Sequence, residues 1–587
     1  LADHDEPGLF PDEVEDLPFG QVFVLGQAAR PVEHRRPVDE GVVDVEEGGS
    51  AGIGLRRRRL GDRGGLPPRF LSVAQLHLCR LAHIQVCKTA SVVANLADLV
   101  RIAADSRPQH AAVVTDQRTT TWSEVDWQVR AVAGGLIARG LPPGTRIGIL
   151  QRNTLEFVTS YFGILRAGMV AVPFNTGYTA AELALMLSDV DVQLVLADPD
   201  VAQVLDGLDV DVIRAGSEDW RRFTVGSAAL PTDPTDPESL AVLLFTSGTT
   251  GRPKAAMLTH RALAANLDQL SALTDPPAMT PDDVVLCVLP LFHIYALNAT
   301  LGMVARNAAT IVLTQRFEPI AALAAIDKHR VTNVAGAPPM YVAWSAQEGL
   351  GEALAGVRLL VSGAAALPRN VMEQFETLAG QPIWEGYGMT ECSPVITASL
   401  VSGTPKPGFV GQPLPGIELE LRDEDGDPVE DGDPGEIFVR GANVFSGYWP
   451  EGSQGPDEEG WFATGDVAYV DEDGDLRLVD RRRELIIVSG FNVYPREVED
   501  ALLGMEGVLE VAVMGVSHPY TGEAVKAFVV ADPGTQITGE DVVAFARGRI
   551  ARFKCPTIVE VVDDLPHSVT GKVSKGRLRE DWGVTSL

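Results

Sequence analysis

Short apolar runs such as RIGIL (Arg146–Leu150) and VQLVLAD (Val192–Asp198) alternate with helix-type stretches such as NTLEFVTSYFGILRAG (Asn153–Gly168), and that alternation leaves few folds open. Strand-length and helix-length segments in alternation bury their apolar faces by layering helices on largely parallel sheets, so an α/β architecture is predicted. The tetrad TWSE (Thr121–Glu124) has the hydroxyl and carboxyl spacing of a capping box and predicts a helix start. After about Gly403 the texture changes. IELELRDEDGDPVEDGDPGEIFVRG (Ile417–Gly441) and GDVAYVDEDGDLRLVDRRRELIIVSG (Gly465–Gly490) set Asp-Gly and Asp-Pro turns between short alternating strands, which predicts hairpins. From Asn492 onward, helix and strand patterns alternate again in a smaller unit. The reading divides the chain into 1–90, a large domain over 91–480 and a small α+β domain over 481–587, with a hinge near DRRRE (Asp480–Glu484).

With 587 residues, 45% hydrophobic and 22% charged, the chain can bury a large core. A formal net charge of −32 opposes binding to nucleic acid or to an anionic membrane, so no nucleic-acid partner is expected and a polyanionic ligand must find a local basic patch. The five cysteines (Cys79, Cys87, Cys287, Cys392, Cys555) have no metal-finger spacing and suggest a reducing compartment. The apolar run Val284–Leu297 is too short to span a bilayer and the opening LADHDEPGLF is acidic, so no transmembrane segment, no secretion and a cytoplasmic location are expected. The first ninety residues, with charge blocks and little periodicity, read as disordered. A sharper expectation is upstream sequence read from a misplaced start, since residue 1 is Leu and the first Met is Met169.

Four clusters carry chemistry. LLFTSGTTGRPKAAMLTH (Leu243–His260) offers backbone N–H groups, hydroxyls and an ammonium to a phosphate chain, yet Arg252 and Pro253 separate Gly251 from Lys254 and no hydroxyl follows the lysine, which excludes a Walker loop. In EGYGMTECSPV (Glu385–Val395), Tyr387 can stack on a flat base, Thr390 can hydrogen-bond a phosphate and Glu391 can hold a hard cation; a tight turn with a core tyrosine is the plainer alternative. In GWFATGDVAYV (Gly460–Val470), Asp466 can take both hydroxyls of a ribose or serve as a turn residue. In LPHSVTGKVSKGRLRE (Leu565–Glu580), Lys572 after a glycine can bring a point charge to a reacting oxygen or belong to a solvated tail.

Together and in this order, the clusters resemble the adenylate-forming family of acyl- and aryl-CoA synthetases, luciferases and non-ribosomal adenylation domains, over roughly Ser91–Trp582. The resemblance implies layered sheets with a small β-barrel-like subdomain and a mobile C-terminal domain. It implies that Thr246, Ser247, Gly248, Thr249, Thr250, Gly251 and Lys254 embrace the β- and γ-phosphates of ATP, that Tyr387 stacks on adenine, Thr390 touches the α-phosphate, Glu391 binds Mg²⁺, and Asp466 and Arg481 hold the ribose. Lys572 matches the catalytic lysine, and Arg483 occupies the hinge position, where relatives often carry Asp or Lys. Gly490 would line the pantetheine tunnel for CoA, His293 in LPLFHIYAL would sit beside the carboxylate, and Gly363, Ala364 and Ala365 in VSGAAALP would floor the adenine and acyl sites. The expected activity is ATP-dependent activation of a carboxylic acid as acyl-AMP, with release of pyrophosphate and transfer to CoA. The apolar GAAAL and AGAPPMYVAW stretches favour a medium- or long-chain fatty acid, ahead of an aryl acid. Transfer to a separate acyl-carrier protein and association as a homodimer stay open at this point.

Overall fold

Local side-chain chemistry starts the first long helix where the sequence predicts it. Thr121 Oγ1 accepts the Glu124 N–H at 3.4 Å and Glu124 Oε2 accepts the Thr121 N–H at 2.7 Å, and the helix Trp122–Ala138 runs on from that box. The computed structural model describes residues 93–225, 235–246, 253–365, 367–430, 432–481, 484, 486–488, 491–518, 522–567 and 572–581, all within one unit, Thr89–Leu587. The expectations for 1–90 lie outside the described residues.

Thr154 caps the next helix, Leu155–Arg166, by accepting the Phe157 N–H at 3.2 Å. Ten of its twelve residues are buried, so it runs through the interior rather than along a surface. Two large sheets share one apolar cluster with these helices. The six-stranded sheet has the order Asp211–Arg214, Val192–Ala197, Arg146–Leu150, Val170–Pro173, Leu240–Thr246, Lys254–Thr259, parallel except for the last pair. The nine-stranded sheet has the order Gln412–Pro413, Val395–Ala398, Trp384–Gly388, Leu359–Ser362, Asn333–Gly336, Val284–Cys287, Thr310–Leu313, Ala111–Val114, Thr119–Thr121; the pairs from Trp384–Gly388 through Ala111–Val114 are parallel, and the two pairs at the first end and the one at the last are antiparallel.

The acidic turns do what their composition predicts. They join Ile417–Arg422 to Gly435–Gly441 and Phe462–Val470 to Leu476–Arg481, and the longer segment 442–461 links these two hairpins into a four-stranded antiparallel meander. Beyond it, Phe491–Val493, Ile486–Val488, Gly522–Ala531 and Val508–His518 form a small sheet to which Ile558–Val562 adds in parallel. The helices Pro495–Leu503 and Gly539–Arg547 cover it through Val498, Leu502, Val542 and Ala546. No described helix is long and apolar enough to cross a membrane. Cys287, Cys392 and Cys555 are buried free thiols.

For function, the consequential feature is the run of parallel strands Val284–Cys287, Asn333–Gly336, Leu359–Ser362 and Trp384–Gly388. Their carboxyl ends open on one edge, which is where α/β sheets present loops to ligands.

One buried histidine ties the segment around Leu96 to the helix after Lys254. His260 Nδ1 accepts the Leu96 N–H at 3.1 Å, and burial pushes its pKa down to about 4. The unfolded chain binds this proton near pH 6.5, so stability is lost as pH falls from about 6.5 to 4, by an amount on the order of 3 kcal/mol. His260→Asn keeps an acceptor and loses the titration. In urea titrations at stepped pH, the variant is expected to lose less stability than the wild type across that window; parallel losses would contradict the assignment.

Candidate active site

The strand Trp384–Gly388 carries Tyr387 between two glycines because the chain folds back on itself there. A Cβ on Gly388 would lie 2.1 Å from the Pro394 carbonyl oxygen, so only glycine admits the antiparallel return strand Val395–Ala398. Tyr387 is buried, and its hydroxyl donates to Asp466 Oδ2 at 2.6 Å. Burial, then the Asp466 charge, push the tyrosine pKa well above its ordinary value, so it stays a neutral donor. Asp466 lies in register with Arg481 on the adjacent strand, which brings the two expected ribose partners onto neighbouring backbones.

The turn Thr390–Cys392 follows, with Glu391 5% exposed. Tyr448 Oη donates to Glu391 Oε1 at 2.5 Å, and burial followed by the Glu391 charge raises the Tyr448 pKa. Lys254 Nζ sits 5.5 Å above the Tyr448 ring and donates to Gln454 Oε1 at 2.7 Å. Thr246 Oγ1, at the other end of the phosphate-type loop, lies 3.4 Å from the Lys254 carbonyl oxygen, to which it donates. Ser247, Gly248, Thr249, Thr250 and Gly251 lie outside the described residues, as do Arg483 and Gly490; of Arg481 only the backbone is described.

On the opposite wall, His293 is half-buried at the start of an irregular helical segment, and its carbonyl accepts the Leu297 N–H at 2.9 Å. Desolvation, then the charge of Lys572, hold its pKa down at about 4, so the imidazole is neutral near pH 7. Residues 279 positions apart in sequence are thereby close enough to feel one another's field. Lys572 is exposed and stands on a segment fastened by its neighbour: Lys575 Nζ pairs with Glu484 Oε2 and Glu499 Oε1, each at 2.9 Å. Gly363 has no room for a side chain, because a Cβ would lie 2.9 Å from the Tyr295 ring. Ala364 holds φ at 70°, a left-handed conformation that costs a non-glycine residue about 1–3 kcal/mol and concentrates at ligand sites.

These side chains share one cleft of about 3090 Å³, several times the roughly 300–1,000 Å³ of a single small-molecule pocket. Thr246, Lys254, His293, Gly363, Ala364, Ala365, Tyr387, Thr390, Glu391, Asp466 and Lys572 all line it. Sequence reasoning missed Tyr448, Gln454 and the Lys575 pairs. The signal for the first was the compact GYWP turn (Gly447–Pro450); nothing local marks the others.

Glu391 fits a bound Mg²⁺: it is a hard oxygen donor, buried, with one oxygen already oriented by Tyr448, and Mg²⁺ commonly takes one or two protein carboxylates beside phosphate oxygens.

The sequence model of the AMP-binding enzyme family matches residues 100–449, and that of the AMP-binding enzyme C-terminal domain matches residues 497–572. A long-chain-fatty-acid–CoA ligase of Bacillus subtilis (strain 168) is 33% identical over 516 residues, covering 81% of this chain and 92% of the relative. A feruloyl-CoA synthase of an Amycolatopsis species is 36% identical over 486 residues, covering 81% and 96%. ATP-bound MatB from Rhodopseudomonas palustris superposes with a TM-score of 0.78 at 34% identity, over 83% of this chain and 99% of that one. With the fold and most of its length shared in this way, the chain belongs to the family of AMP-binding, adenylate-forming enzymes.

Proposed function

We propose that this acid–CoA ligase activates a medium- or long-chain fatty acid, first as its acyl adenylate and then as its CoA thioester. The observation that carries the reading is the depth and lining of the cleft. Asn333 and Ala335 on one strand, and Leu359 and Val361 on the next, alternate onto one face, and all four line the cavity. The cavity therefore follows the strands back from their carboxyl ends for about 10 Å, at roughly 3.3 Å per residue. Leu270, Val285 and Met303, all buried, line its inner end. A sleeve of that kind gains roughly 0.8 kcal/mol per buried methylene. The long-chain-fatty-acid relative supports the same reading, whereas the feruloyl-CoA synthase relative favours an aryl acid as the second reading.

In the proposed mechanism the loop Thr246–Gly251 and Lys254 hold the β- and γ-phosphates of ATP, Tyr387 lies against adenine, Asp466 and Arg481 hold the ribose, and Thr390 meets the α-phosphate. Glu391 would hold Mg²⁺, which neutralises triphosphate charge when bound. The acid's carboxylate oxygen attacks the α-phosphorus and pyrophosphate leaves. Lys572 stabilises charge on the reacting oxygens, and neutral His293 orients the carboxylate without competing for a proton. In the second step the CoA sulfur attacks the acyl carbon and AMP departs. The small domain, from about residue 481, would turn about Arg483 to offer Gly490 to the pantetheine arm. Gly363, Ala364 and Ala365 leave space for the adenylate.

Two measurements test this. Lys572→Ala is expected to lower acid-dependent pyrophosphate release by about a hundredfold or more while sparing thioester formation from supplied acyl-AMP. Equal loss in both half-reactions would refute the assigned role. In a CoA-ligase screen of saturated acids of increasing length against benzoate- and cinnamate-type acids, kcat/KM is expected to rise along the aliphatic series. A clear preference for an aryl acid would replace the fatty-acid reading with the second one.

A further inference from the structure

The segment 443–455 is a strap between two parts of the site that the sequence separates. On one side, Ser446 N–H donates to Met257 O at 3.0 Å, Met257 N–H to Gly447 O at 3.0 Å and Trp449 N–H to Ala255 O at 2.9 Å, which binds the strap along the strand Lys254–Thr259. On the other side, Phe445 N–H donates to Glu391 O at 2.9 Å, and Asn443 Nδ2 donates to Cys392 O at 2.8 Å. The strap is thus fastened by its backbone to both the lysine strand and the glutamate turn. One of its side chains, Tyr448, then touches both charges. Its hydroxyl donates to Glu391 Oε1 at 2.5 Å, and its ring face lies 5.5 Å from Lys254 Nζ.

We infer that Tyr448 is a positioning residue that couples the metal carboxylate to the phosphate lysine, so that Mg²⁺ and the triphosphate bind cooperatively. This rests on the proposed roles of Glu391 and Lys254. A carboxylate oxygen that accepts a hydroxyl hydrogen bond is fixed in orientation, which presents the group in one geometry to a cation that demands near-octahedral ligands. The same ring offers its negative face to the lysine ammonium, restricting where that charge can sit. Because both partners are anchored to one side chain, displacing either disturbs the other. Phosphates that draw Lys254 into place therefore find Glu391 already oriented.

The test is thermodynamic and needs no turnover. ATP affinity is measured by calorimetry on the full chain, without acid or CoA, once with Mg²⁺ and once with EDTA; the ratio of the two is the gain that the metal gives. Tyr448→Phe keeps the ring and removes the hydroxyl. It is expected to lower the metal-dependent gain by about tenfold or more, beyond any loss of EDTA affinity that follows from the Tyr448 contact with Thr246, as loss of a group orienting a metal ligand does. Loss of affinity in both conditions by the same factor would mark Tyr448 as a packing residue and overturn the inference. An unchanged ratio would overturn it as well. Glu391→Gln separates this from the underlying reading. If Glu391→Gln retains the full metal-dependent gain, the assignment of Glu391 as the Mg²⁺ carboxylate fails; if it abolishes the gain and Tyr448→Phe does not, only the coupling fails.

Discussion

A buried carboxylate must be given partners, and the polar half of the cleft is organised around that requirement at Glu391. At 5% exposure its charge cannot be left to solvent, so the fold brings Tyr448 to it from 57 residues away and closes the strap backbone over the turn. The same strap follows the strand that carries Lys254 and so spaces the ammonium from the carboxylate through an aromatic ring rather than by direct contact. A direct ion pair would neutralise both charges. On the proposed roles of Lys254 and Glu391, the ring would hold each where a triphosphate and a cation can still reach it.

Net charge sharpens this point. The chain is formally −32, which raises the cost of drawing ATP toward it. Cationic groups border the cleft: Lys254 and Lys572 both line it, and the charge of Lys572 reaches the neutral His293. Lys575 takes a different part. Its two carboxylate partners, Glu484 and Glu499, come from before and within the helix Pro495–Leu503 and fix the base of the segment on which Lys572 stands. In its proposed role Lys572 works by charge and needs its distance set, and a neighbouring lysine held by two carboxylates would set it.

What was legible in the sequence was whatever is decided within a few residues. The capping box at Thr121 and Glu124, the interior helix Leu155–Arg166 and the acidic hairpins of the meander each follow from local hydroxyl, carboxyl and glycine chemistry. The motifs around Lys254, Tyr387, Asp466 and Lys572 could be seen singly, but each alone has a plain structural explanation; their convergence on one cleft is what the fold adds. Tyr448 and the Lys575 pairs were invisible for a physical reason. A hydrogen bond spanning 57 residues and ion pairs spanning 91 and 76 residues leave no periodicity or spacing to read. The depth of the cavity was equally hidden, since Val285, Asn333 and Leu359 become neighbours only when three parallel strands come into register.

That register separates the site into two chemically unlike halves with different tolerance for change. One half is a hydrogen-bonded network in which Tyr387 donates to Asp466 and Tyr448 donates to Glu391, so removing either hydroxyl loses a bond to a carboxylate and costs about 1.5–3 kcal/mol. Along the inner sleeve, Val285, Leu359 and Met303 contribute only shape, and exchanging one apolar side chain for another of similar volume usually costs less than about 1.5 kcal/mol. Asn333 is the exception there, because its Nδ2 donates to the Ala278 carbonyl at 3.2 Å. Sleeve length and width can therefore change without loosening the hydrogen-bonded groups, and on the proposed function acid preference would change with them. On the proposed function the chain would keep its reaction under tight constraint and leave its choice of acid to apolar side chains such as Val285, Met303 and Leu359.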